Sequence, residues 1–580
     1  MILQALVHYY EDLERQGALA APGWSPVNVS YVLYLDDQGG LEQVADVRQE
    51  KVVGKKTVLA PRPMQLPTPR KRASGIAPNF LWDNASYLLG IDAKGKLERT
   101  ARCAAACRAW HEQVLAGVTS PAAQALLGFF ARWDPAAAWD HPALQEHREG
   151  LLSGANLTFR HRGQYVAEDP AIRAAWQRAC FDTEEGAEGV CLVTGERTQV
   201  AVLHPAIKGV AGAQSSGASL VSFNAPAFCS YGHEQGQNAP VGEYAAFAYG
   251  AALNHLLADR EHVGRIGDTT VLCWTEGGQP AYQGLFGCCL FGQESRYTER
   301  ELQTMMRKLA DGRAVDFDET RIEPDRAFYV LGLSPNAARL SVRFFRRNTF
   351  GALLRNVYRH HEQMAVVRPR QDPFETVPLW RLLRETVDRN ARDKAASPVL
   401  SGAVLRAILE GTPYPATLRN AIHLRIRADH TIGRARAAAI KAYYLRASCV
   451  EFPQPEEVFT VSLNEQSTNV PYQLGRLFSV LEEIQSRANP GINSTIRDRY
   501  FNAASATPAM VFPTLIRLAQ KHLKKLTTGG ESYYTKQLRT ILDRLDEEFP
   551  ARLTLPEQGA FQLGYYHQTT ARYAKNDQEG

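Results

Sequence analysis

The sequence has little of what metal centres, disulfide frameworks and membrane spans require. Its nine cysteines include no Cys-x-x-Cys pair, so we do not expect a zinc ribbon. The odd number and the adjacent Cys288 and Cys289 favour buried thiols and a reducing, cytoplasmic location. No run of about 18 or more apolar residues occurs, which argues against a membrane-spanning helix. The N-terminal segment has no basic start and carries Glu11, Asp12 and Glu14, so we do not expect a signal peptide.

Motifs of common catalytic sites are also missing. The sequence contains no HExxH, no phosphate-binding G-x-x-x-x-G-K-[ST] and no G-x-S-x-G. The HHEQM segment at His360 lacks the spacing of two zinc ligands on one helix face. We therefore expect no catalytic residues, no metal and no cofactor. The alternative is a nuclease or thiol-dependent hydrolase centred on residues 191–238, in which Cys191 or Cys229 would act with His204, although a thiol nucleophile also needs an activating environment.

Charge of either sign is nearly balanced. The chain has 66 Lys and Arg against 61 Asp and Glu, a net charge of +5 over 580 residues, and 45% of its residues are hydrophobic. These values are ordinary for a globular protein, and the length indicates about two to four domains. They do not require nucleic-acid binding, but local clusters of Lys and Arg can still build a basic face.

Two stretches in the second half of the chain are strongly basic. Residues 341–370 hold seven Arg and one acidic residue, and residues 411–450 hold six Arg, one Lys and one acidic residue. Helices with Arg along one face would track a nucleic-acid backbone or bind an acidic subunit. The alternative is a set of ordinary surface helices whose long side chains cover apolar area.

What the chain does have is a long uncharged stretch from Lys208 to Val241. Gly, Ala, Ser, Asn and Gln dominate it, and its charged residues are Lys208 and Glu234. Glycine allows a backbone to approach a ligand closely, and amides and hydroxyls offer hydrogen-bond donors and acceptors without charge. Such a surface can read the edges of bases or line a polar channel. The alternative is a buried polar turn between two strands.

A second candidate region is basic and rich in proline. Residues 51–72 contain seven Lys and Arg, no acidic residue, and four prolines that keep the segment extended. This segment is either a phosphate clamp, because Lys and Arg supply the salt-dependent part of DNA affinity, or a solvated loop. Residues 78–84 then add amides and large aromatic side chains, which suit a wedge that separates DNA strands and stacks on unpaired bases.

Hydrophobic periodicity predicts an α+β protein in three parts. Residues 1–348 form a mixed domain with an antiparallel sheet, beginning with an amphipathic helix over 1–18 and a hairpin that turns at 36–40. Residues 349–455 are predicted to be a basic helical connecting region, because strand patterns are few there. Residues 456–580 carry a run of amphipathic helices and are predicted to be an antiparallel helical bundle.

Three long segments resemble one known family. They are GIAPNFLWDNASYLLG (75–90), CLVTGE with LHPAIKGVAGAQSSGASLVSFNAPAF (between 191 and 228), and VRFFRRNTFGALLRN (342–356). In this order they resemble the large subunit of type I-C CRISPR Cascade, the Dvulg-type CRISPR-associated family. The resemblance covers essentially all of the chain, and three long motifs are more specific than a short glycine pattern.

The resemblance implies a non-enzymatic subunit of an RNA-guided DNA surveillance complex in antiviral defence. Such a subunit recognises the protospacer-adjacent motif (PAM) in duplex DNA, helps to open the duplex and supports R-loop formation. Base pairing with the guide reads the rest of the target. The implied partners are CRISPR RNA, double-stranded target DNA, the Cascade backbone subunits, the subunit that caps the RNA 5′ end, and a recruited helicase–nuclease. In similar systems a small subunit is made from the same gene, and the C-terminal bundle resembles it.

Composition and the family motifs together predict the residues of the site. We expect PAM reading by two sets of residues: Asn79, Phe80, Trp82 and Asn84 in one loop, and Lys208, Gln214, Ser215, Ser216 and Asn224 in the other. Amides and hydroxyls would read base edges, Phe80 or Trp82 would separate the strands, and Lys208 would hold a phosphate. The predicted contacts to the phosphate backbone are Lys55, Lys56, Lys71 and Arg72.

Overall fold

The computed structural model describes residues 1–53, 56–70, 75–93, 97–181, 187–259, 263–388, 390–392, 395–447 and 455–575. Contacts between residues divide the chain into two compact units. The first unit comprises Met1–Ala206 and Ser219–Leu253, and the second comprises Ile207–Ala218 and Asn254–Gly580. Within the described ranges, no helix is both long and apolar enough to cross a membrane.

Short strands, several of them paired as hairpins, occur between residues 24 and 349. They are β1 (Trp24–Val29), β2 (Tyr31–Leu35), β3 (Leu41–Asp46), β4 (Gln49–Val53), β5 (Lys56–Ala60), β6 (Arg62–Pro67), β7 (Trp82–Asn84), β8 (Asn156–His161), β9 (Gln164–Tyr165), β10 (Glu188–Val190), β11 (Arg197–Gln199), β12 (Ala206–Ile207), β13 (Ala218–Ser219), β14 (Gly264–Ile266), β15 (Thr269–Thr275), β16 (Val315–Phe317), β17 (Thr320–Ile322), β18 (Ala327–Asn336) and β19 (Arg339–Thr349).

Helices occur along the whole chain and dominate it after β19. They are α1 (Ile2–Arg15), α2 (Ala85–Leu88), α3 (Leu97–Val114), α4 (Pro121–Arg132), α5 (Pro142–Gln145), α6 (Arg148–Leu152), α7 (Pro170–Phe181), α8 (Glu243–Ala258), α9 (Pro280–Phe291), α10 (Glu299–Ala310), α11 (Phe350–Met364), α12 (Leu379–Arg384), α13 (Pro398–Glu410), α14 (Ala416–Asp429), α15 (Arg434–Arg446), α16 (Pro455–Val458), α17 (Val470–Ala488), α18 (Ile496–Ala506), α19 (Pro508–Leu523), α20 (Thr528–Leu542) and α21 (Leu555–Lys575).

A five-stranded sheet forms the centre of the first unit. Its order is β3-β2-β8-β7, with β9 paired to β8; β2 and β8 run parallel, and the other neighbours are antiparallel. Aromatic residues build the core beside it: Phe159 of β8 packs edge-on against Phe129 and Phe130 of α4, with ring centroids 5.4 and 5.9 Å apart. The predicted N-terminal helix and hairpin are confirmed as α1 and as β2 with β3.

A six-stranded sheet organises the second unit, in the order β12-β13-β19-β18-β15-β14. Strand β15 is buried along its whole length, because β14 and β18 pair with its two edges and α9 packs on it. Thr270 of β15 lies opposite Arg265 of β14 and Leu333 of β18. One hydrophobic core extends from this sheet into the C-terminal helices, from Ile266 to Tyr566.

The predicted α+β class is confirmed, with strands in the N-terminal part and helices in the C-terminal part. The core of the second unit continues through the C-terminal helices; for example, Tyr566 Oη donates to the carbonyl of Val367 at 2.7 Å. The finer division into a domain 1–348, a connecting region 349–455 and a bundle 456–580 stays a prediction.

Helix α15, in the second basic stretch, lies in the interior. Arg436 is fully buried and donates to Glu385 Oε2 at 2.7 Å and to Asp429 Oδ2 at 2.6 Å. Lys441 Nζ donates to the carbonyl of Ala365 at 2.7 Å, just after α11, and burial lowers the pKa of Lys441 to about 8. These cations therefore satisfy interior carboxylates and a helix end, and they do not form a surface that tracks a nucleic-acid backbone.

Candidate nucleic-acid interface

The uncharged stretch begins as a loop, residues 208–217, between β12 and β13. Its exposed polar side chains include Lys208, Gln214, Ser215 and Ser216. Three glycines in the loop have φ between 79° and 104°, namely Gly209, Gly212 and Gly217. Residues with a Cβ atom rarely adopt such conformations, which is why glycine recurs at this spacing. The loop therefore presents uncharged donors and acceptors on a backbone conformation that favours glycine at these three positions.

Hydrogen bonds from the rest of the second unit anchor the loop. The backbone N–H of Lys208 donates to Asn254 Oδ1 at 2.8 Å, and that of Ala211 donates to Thr270 Oγ1 at 3.1 Å. Val210, between them, is buried. These contacts hold the first half of the loop, and the N–H of Gly217 donates to the carbonyl of Gln214 at 3.0 Å in a turn that carries Ser215 and Ser216.

The loop crosses one end of the six-stranded sheet. A Cβ atom at Gly212 would lie 3.3 Å from Cγ of Pro335, close to the point where β18 turns into β19. Strand β19 is next to β13 and carries the exposed Arg343 and Arg347, of which Arg343 Nη2 donates to Asp268 Oδ2 at 2.9 Å. Of the arginines in the third resembling segment, Arg343 lies at the end of the sheet that the loop crosses, which the sequence alone did not reveal. Arg347 is opposite Tyr329, farther along the sheet, and pairs with Glu276 at 3.5 Å.

A second exposed tip, in the first unit, carries Tyr231. Its side chain is 98% exposed and its backbone has a φ of 55°, which is unfavourable for a bulky residue. The side chain of Asn238 holds this backbone: Oδ1 accepts from the N–H of Ser230 at 2.8 Å, and Nδ2 donates to the carbonyls of His233 at 3.2 Å and Gln235 at 3.1 Å. We did not predict Tyr231 as a site residue; the signal for it was an aromatic residue beside glycine in a polar segment.

Of the predicted amides in the first unit, Asn79 and Asn84 form hydrogen bonds within the protein. Asn79 is 3% exposed, and its Oδ1 accepts from the N–H of Arg70 at 3.0 Å. Asn84 is half-buried and caps α2, because its Oδ1 accepts from the N–H of Ser86 at 3.0 Å. Asn224 is exposed. Of these three amides, Asn224 alone is displayed on the surface of the unit.

The aromatic rings predicted to separate DNA strands are core residues here. Phe80 is fully buried, and its ring centroid lies 5.1 Å from that of Trp176 and 5.0 Å from that of His111. Trp82 is also buried, and its Nε1–H donates to the carbonyl of Pro67 at 2.7 Å. Strand separation by either ring would require that the segment leaves the core, and that role stays a prediction.

His111 fixes the backbone between these rings. Its Nδ1–H donates to the carbonyl of Cys107 at 2.8 Å, and its Nε2 accepts from the N–H of Leu81 at 2.9 Å. This arrangement needs the neutral imidazole, and burial favours it by lowering the pKa of His111 to about 4. Leu81 has a φ of 63°, so the histidine holds a strained residue in place.

We expect His111→Leu to loosen residues 79–84. The substitution leaves the buried N–H of Leu81 without an acceptor, which costs about 1–3 kcal/mol of unfolding free energy. Amide hydrogen exchange should become faster across this segment. Exchange that matches the wild-type rate would contradict the assignment, and His8→Leu, a change at an exposed histidine of the same unit, is the matched control.

The same histidine predicts the direction of a pH effect. The pKa of His111 is lower in the folded chain, about 4, than in the unfolded chain, about 6.5. The unfolded state therefore takes up a proton first on acidification, and stability falls by about 1.4 kcal/mol per pH unit as the pH drops from about 6.5 toward 4. Comparison of the wild type with His111→Leu over this range isolates the contribution.

The predicted phosphate contacts fall largely outside the described residues. Lys55, Lys71 and Arg72 lie outside them, and Lys56 is the first residue of β5. Strands β4 and β5 pair antiparallel, from Gln49 opposite Ala60 to Val53 opposite Lys56, so this part of the basic segment is not one extended arm. The contacts of the four basic residues with DNA stay a prediction.

The thiol and histidine of the alternative hydrolase have other partners. Cys191 is buried; burial raises the pKa of its thiol, but hydrogen bonds from Thr194, Val193 and Gly242 lower it below the ordinary value overall. The ring Nδ1 of His204 hydrogen-bonds instead with Tyr249 Oη at 2.7 Å. Across the part of the chain that the structure describes, no group of three or more His, Cys, Asp or Glu could hold a metal ion.

Comparison with known families agrees with these features. A family model described as CRISPR-associated protein (Cas_Csd1) matches residues 6–573, which makes this chain a CRISPR-associated protein. More particularly, the chain belongs to the Csd1 family, which confirms the resemblance to the large subunit of type I-C Cascade. Among curated proteins, none matches the chain.

Proposed function

We propose that the chain recognises the PAM in duplex DNA as a subunit of an RNA-guided surveillance complex that acts in the cytoplasm in CRISPR antiviral defence. The observation that carries this proposal is the anchored loop 208–217, which displays Gln214, Ser215 and Ser216 to solvent. Amides and hydroxyls hydrogen-bond with base edges, and the ammonium of Lys208 attracts a phosphate. An anchored loop also loses little conformational freedom on binding.

The neighbouring strand supports the same role. Arg343 on β19 is exposed and pairs with Asp268 at 2.9 Å, and a phosphate of a duplex bound at the loop would compete with that carboxylate for the guanidinium. Asn224, in the first unit, is a further exposed amide that we propose for PAM reading. Asn79 and Asn84 would contribute if their segment rearranges on binding.

The implied partners follow from this role. CRISPR RNA would pair with the target strand while the protein reads the PAM and the backbone, and so supports the R-loop. The Cascade backbone subunits and the subunit that caps the RNA 5′ end would hold the chain in the complex. A small subunit made from the same gene would line the displaced strand, and a helicase–nuclease would be recruited afterwards.

We expect Tyr231→Ala to reduce opening of the duplex next to the PAM. The ring of Tyr231 is exposed, and the side chain of Asn238 holds the adjacent backbone. Stacking of an aromatic ring on an unpaired base contributes roughly 1–3 kcal/mol. The opened fraction should fall by roughly 5- to 150-fold. The measurement is the fluorescence of 2-aminopurine placed at the first base pair beside the PAM, with the assembled complex and without the helicase–nuclease.

Tyr231→Phe is the matched variant, because it keeps the ring and removes the hydroxyl, and it should open the duplex as the wild type does. A Tyr231→Ala complex that opens the duplex normally would contradict this role. Normal opening in Tyr231→Ala, together with loss of opening in a Trp82→Leu complex that still binds PAM-containing duplex, would assign strand separation to the first segment.

We also propose that the chain is not catalytic. Support comes from the separate partners of Cys191 and His204 and from the uncharged composition of the displayed loop. Incubation of the chain with duplex DNA and Mg²⁺ tests this. Cleavage that disappears in Cys191→Ser would instead support the hydrolase centred on residues 191–238.

A further inference from the structure

A cleft in the second unit is independent of the loop tip. It has a volume of about 680 Å³ and lies between β14, the end of α9, α12 and the start of α13. Its aromatic walls are Trp380 and Phe291, and its cationic side chains are Arg265 and Arg384. Clefts of this size hold small ligands or one or two units of a polymer.

The lining of the cleft has the chemistry of a nucleotide site. Trp380 is 49% exposed although it is the largest aromatic side chain, and Leu379 beside it is buried. Arg265 and Arg384 are exposed, and within the described residues neither forms an ion pair, whereas the adjacent Arg381 is bound by Asp372. Among the described residues that line the cleft, none is acidic. The ring of Trp380 can stack on a base, and the guanidinium groups of Arg265 and Arg384 can bind a phosphate.

A buried hydroxyl in the cleft also lacks a partner. Ser401, at the start of α13, lines the cleft and is fully buried, and its Oγ has no hydrogen-bond partner in the described structure. Buried hydroxyls normally have a hydrogen-bond partner, so Ser401 adds an unpaired polar group to the cleft wall.

The sheet connects this cleft to the displayed loop. Arg265 of β14 is directly opposite Thr270 of β15, and the Thr270 hydroxyl accepts the hydrogen bond from Ala211 of the loop. Side chains of directly opposed residues lie on the same face of a sheet. The cleft therefore begins one strand away from the loop, on the face that the loop contacts.

We propose that this cleft binds an unpaired nucleotide next to the PAM, with its base stacked on Trp380 and its phosphate held by Arg265 and Arg384. This inference rests on the proposed function, because the PAM loop places the nucleic acid there. Both the DNA strand that opens beside the PAM and the CRISPR RNA consist of nucleotides, so the test distinguishes the two.

Photo-crosslinking of the assembled complex tests the proposal. In one arm, 5-iododeoxyuridine replaces single bases beside the PAM on either DNA strand; in the other arm, 4-thiouridine replaces single bases of the guide RNA. We expect a crosslinked peptide that contains residues 379–384, from one of the DNA positions. Trp380→Ala should remove it, and Trp380→Phe should retain it. Arg265→Gln with Arg384→Gln should lower its yield at least tenfold.

The matched control removes two arginines elsewhere in the same unit. Arg300→Gln with Arg313→Gln makes the same change of net charge outside the cleft, and it should leave the crosslink unchanged. A crosslink from the guide RNA alone would assign the cleft to RNA and overturn the location beside the PAM. If no nucleotide crosslinks to the cleft but polyglutamate binds there, the cleft is a site for an acidic peptide. That result would overturn the proposal.

Failure of the inference and failure of the proposed function are distinguishable. Complexes that prefer PAM-containing duplex but never crosslink within 379–384 would overturn the cleft proposal alone. Complexes that bind PAM-containing and PAM-free duplex equally would overturn the proposed function and this inference with it.

Discussion

Arg436→Met should lower the free energy of unfolding of the second unit by about 3–5 kcal/mol. Arg436 is fully buried and donates to Glu385 at 2.7 Å, to Asp429 at 2.6 Å and to the carbonyl of Thr431 at 2.9 Å. The substitution keeps the volume of the side chain roughly constant, so it creates little cavity. It leaves the half-buried Glu385 carboxylate and the Thr431 carbonyl without the Arg436 donor. It also removes one of the two arginines that bind Asp429, of which Arg425 remains, and the loss of these contacts dominates the effect.

Arg539→Met is the matched control, because it makes the same substitution at a surface pair. Arg539 is 82% exposed and lies 3.7 Å from Asp543, so its replacement should change stability by less than about 0.5 kcal/mol. Urea denaturation followed by circular dichroism measures both variants. If Arg436→Met were as stable as Arg539→Met, the buried network would not hold the helices together.

The native gene with a C-terminal tag should produce two tagged proteins. Glu456, Glu457 and Val458 can be encoded as GAG-GAG-GTN, which resembles a bacterial ribosome-binding site, and GTG at Val461 is a usable start codon. No methionine lies between Met364 and Met510, so a methionine start would either include the basic helices or cut the bundle. The smaller product would span residues 461–580.

The product would contain a helical core of its own. Helices α17 and α21 cross closely, because a Cβ atom at Gly475 would overlap the backbone of Phe561, and one at Gly564 would overlap that of Tyr472. Both members of this contact lie after Val461, so the product retains it.

Synonymous recoding of codons 456–461, with a valine codon that is not a start, should remove the smaller band completely. The full-length band is the internal control, since its protein sequence is unchanged. A smaller band that survives recoding would contradict the start at Val461. A single band from the native gene would contradict the idea of a second product.

The sequence was sufficient for the loop at 208–217 because its signals are local. Glycine at 209, 212 and 217 and the lack of charge each act within a few residues. The structure shows exposed polar side chains in this loop, and their role in PAM reading stays a prediction. The same holds for α1 and for the β2–β3 hairpin, whose periodicity is local.

The sequence did not predict which side chains are buried where burial depends on residues far away in the chain. Phe80 and Trp82 sit in a segment of amides and aromatics that is compatible with an exposed tip, but Trp176 and Pro67 enclose them. Arg436 is fully buried because Glu385, 51 residues earlier in the chain, neutralises it. Neither pairing leaves a periodic trace in the sequence, so composition alone cannot separate interior from surface arginines.

The most direct test of PAM reading by the loop is the ratio of dissociation constants for PAM-free and PAM-containing duplex. It is measured on complexes assembled with wild-type chain, with Gln214→Ala and with Asn79→Ala. Removal of a side chain that reads a base edge costs about 1–3 kcal/mol of discrimination, a roughly 5- to 150-fold fall in the ratio. We expect that fall for Gln214→Ala.

Neutralisation of Lys55, Lys56, Lys71 and Arg72 is the control, because phosphate contacts do not depend on sequence. It should weaken binding to both duplexes alike and flatten the salt dependence, with the ratio unchanged. A ratio that falls in Gln214→Ala and stays constant in this control is the result predicted here. An unchanged ratio in both Gln214→Ala and Asn79→Ala would contradict PAM recognition by either predicted set.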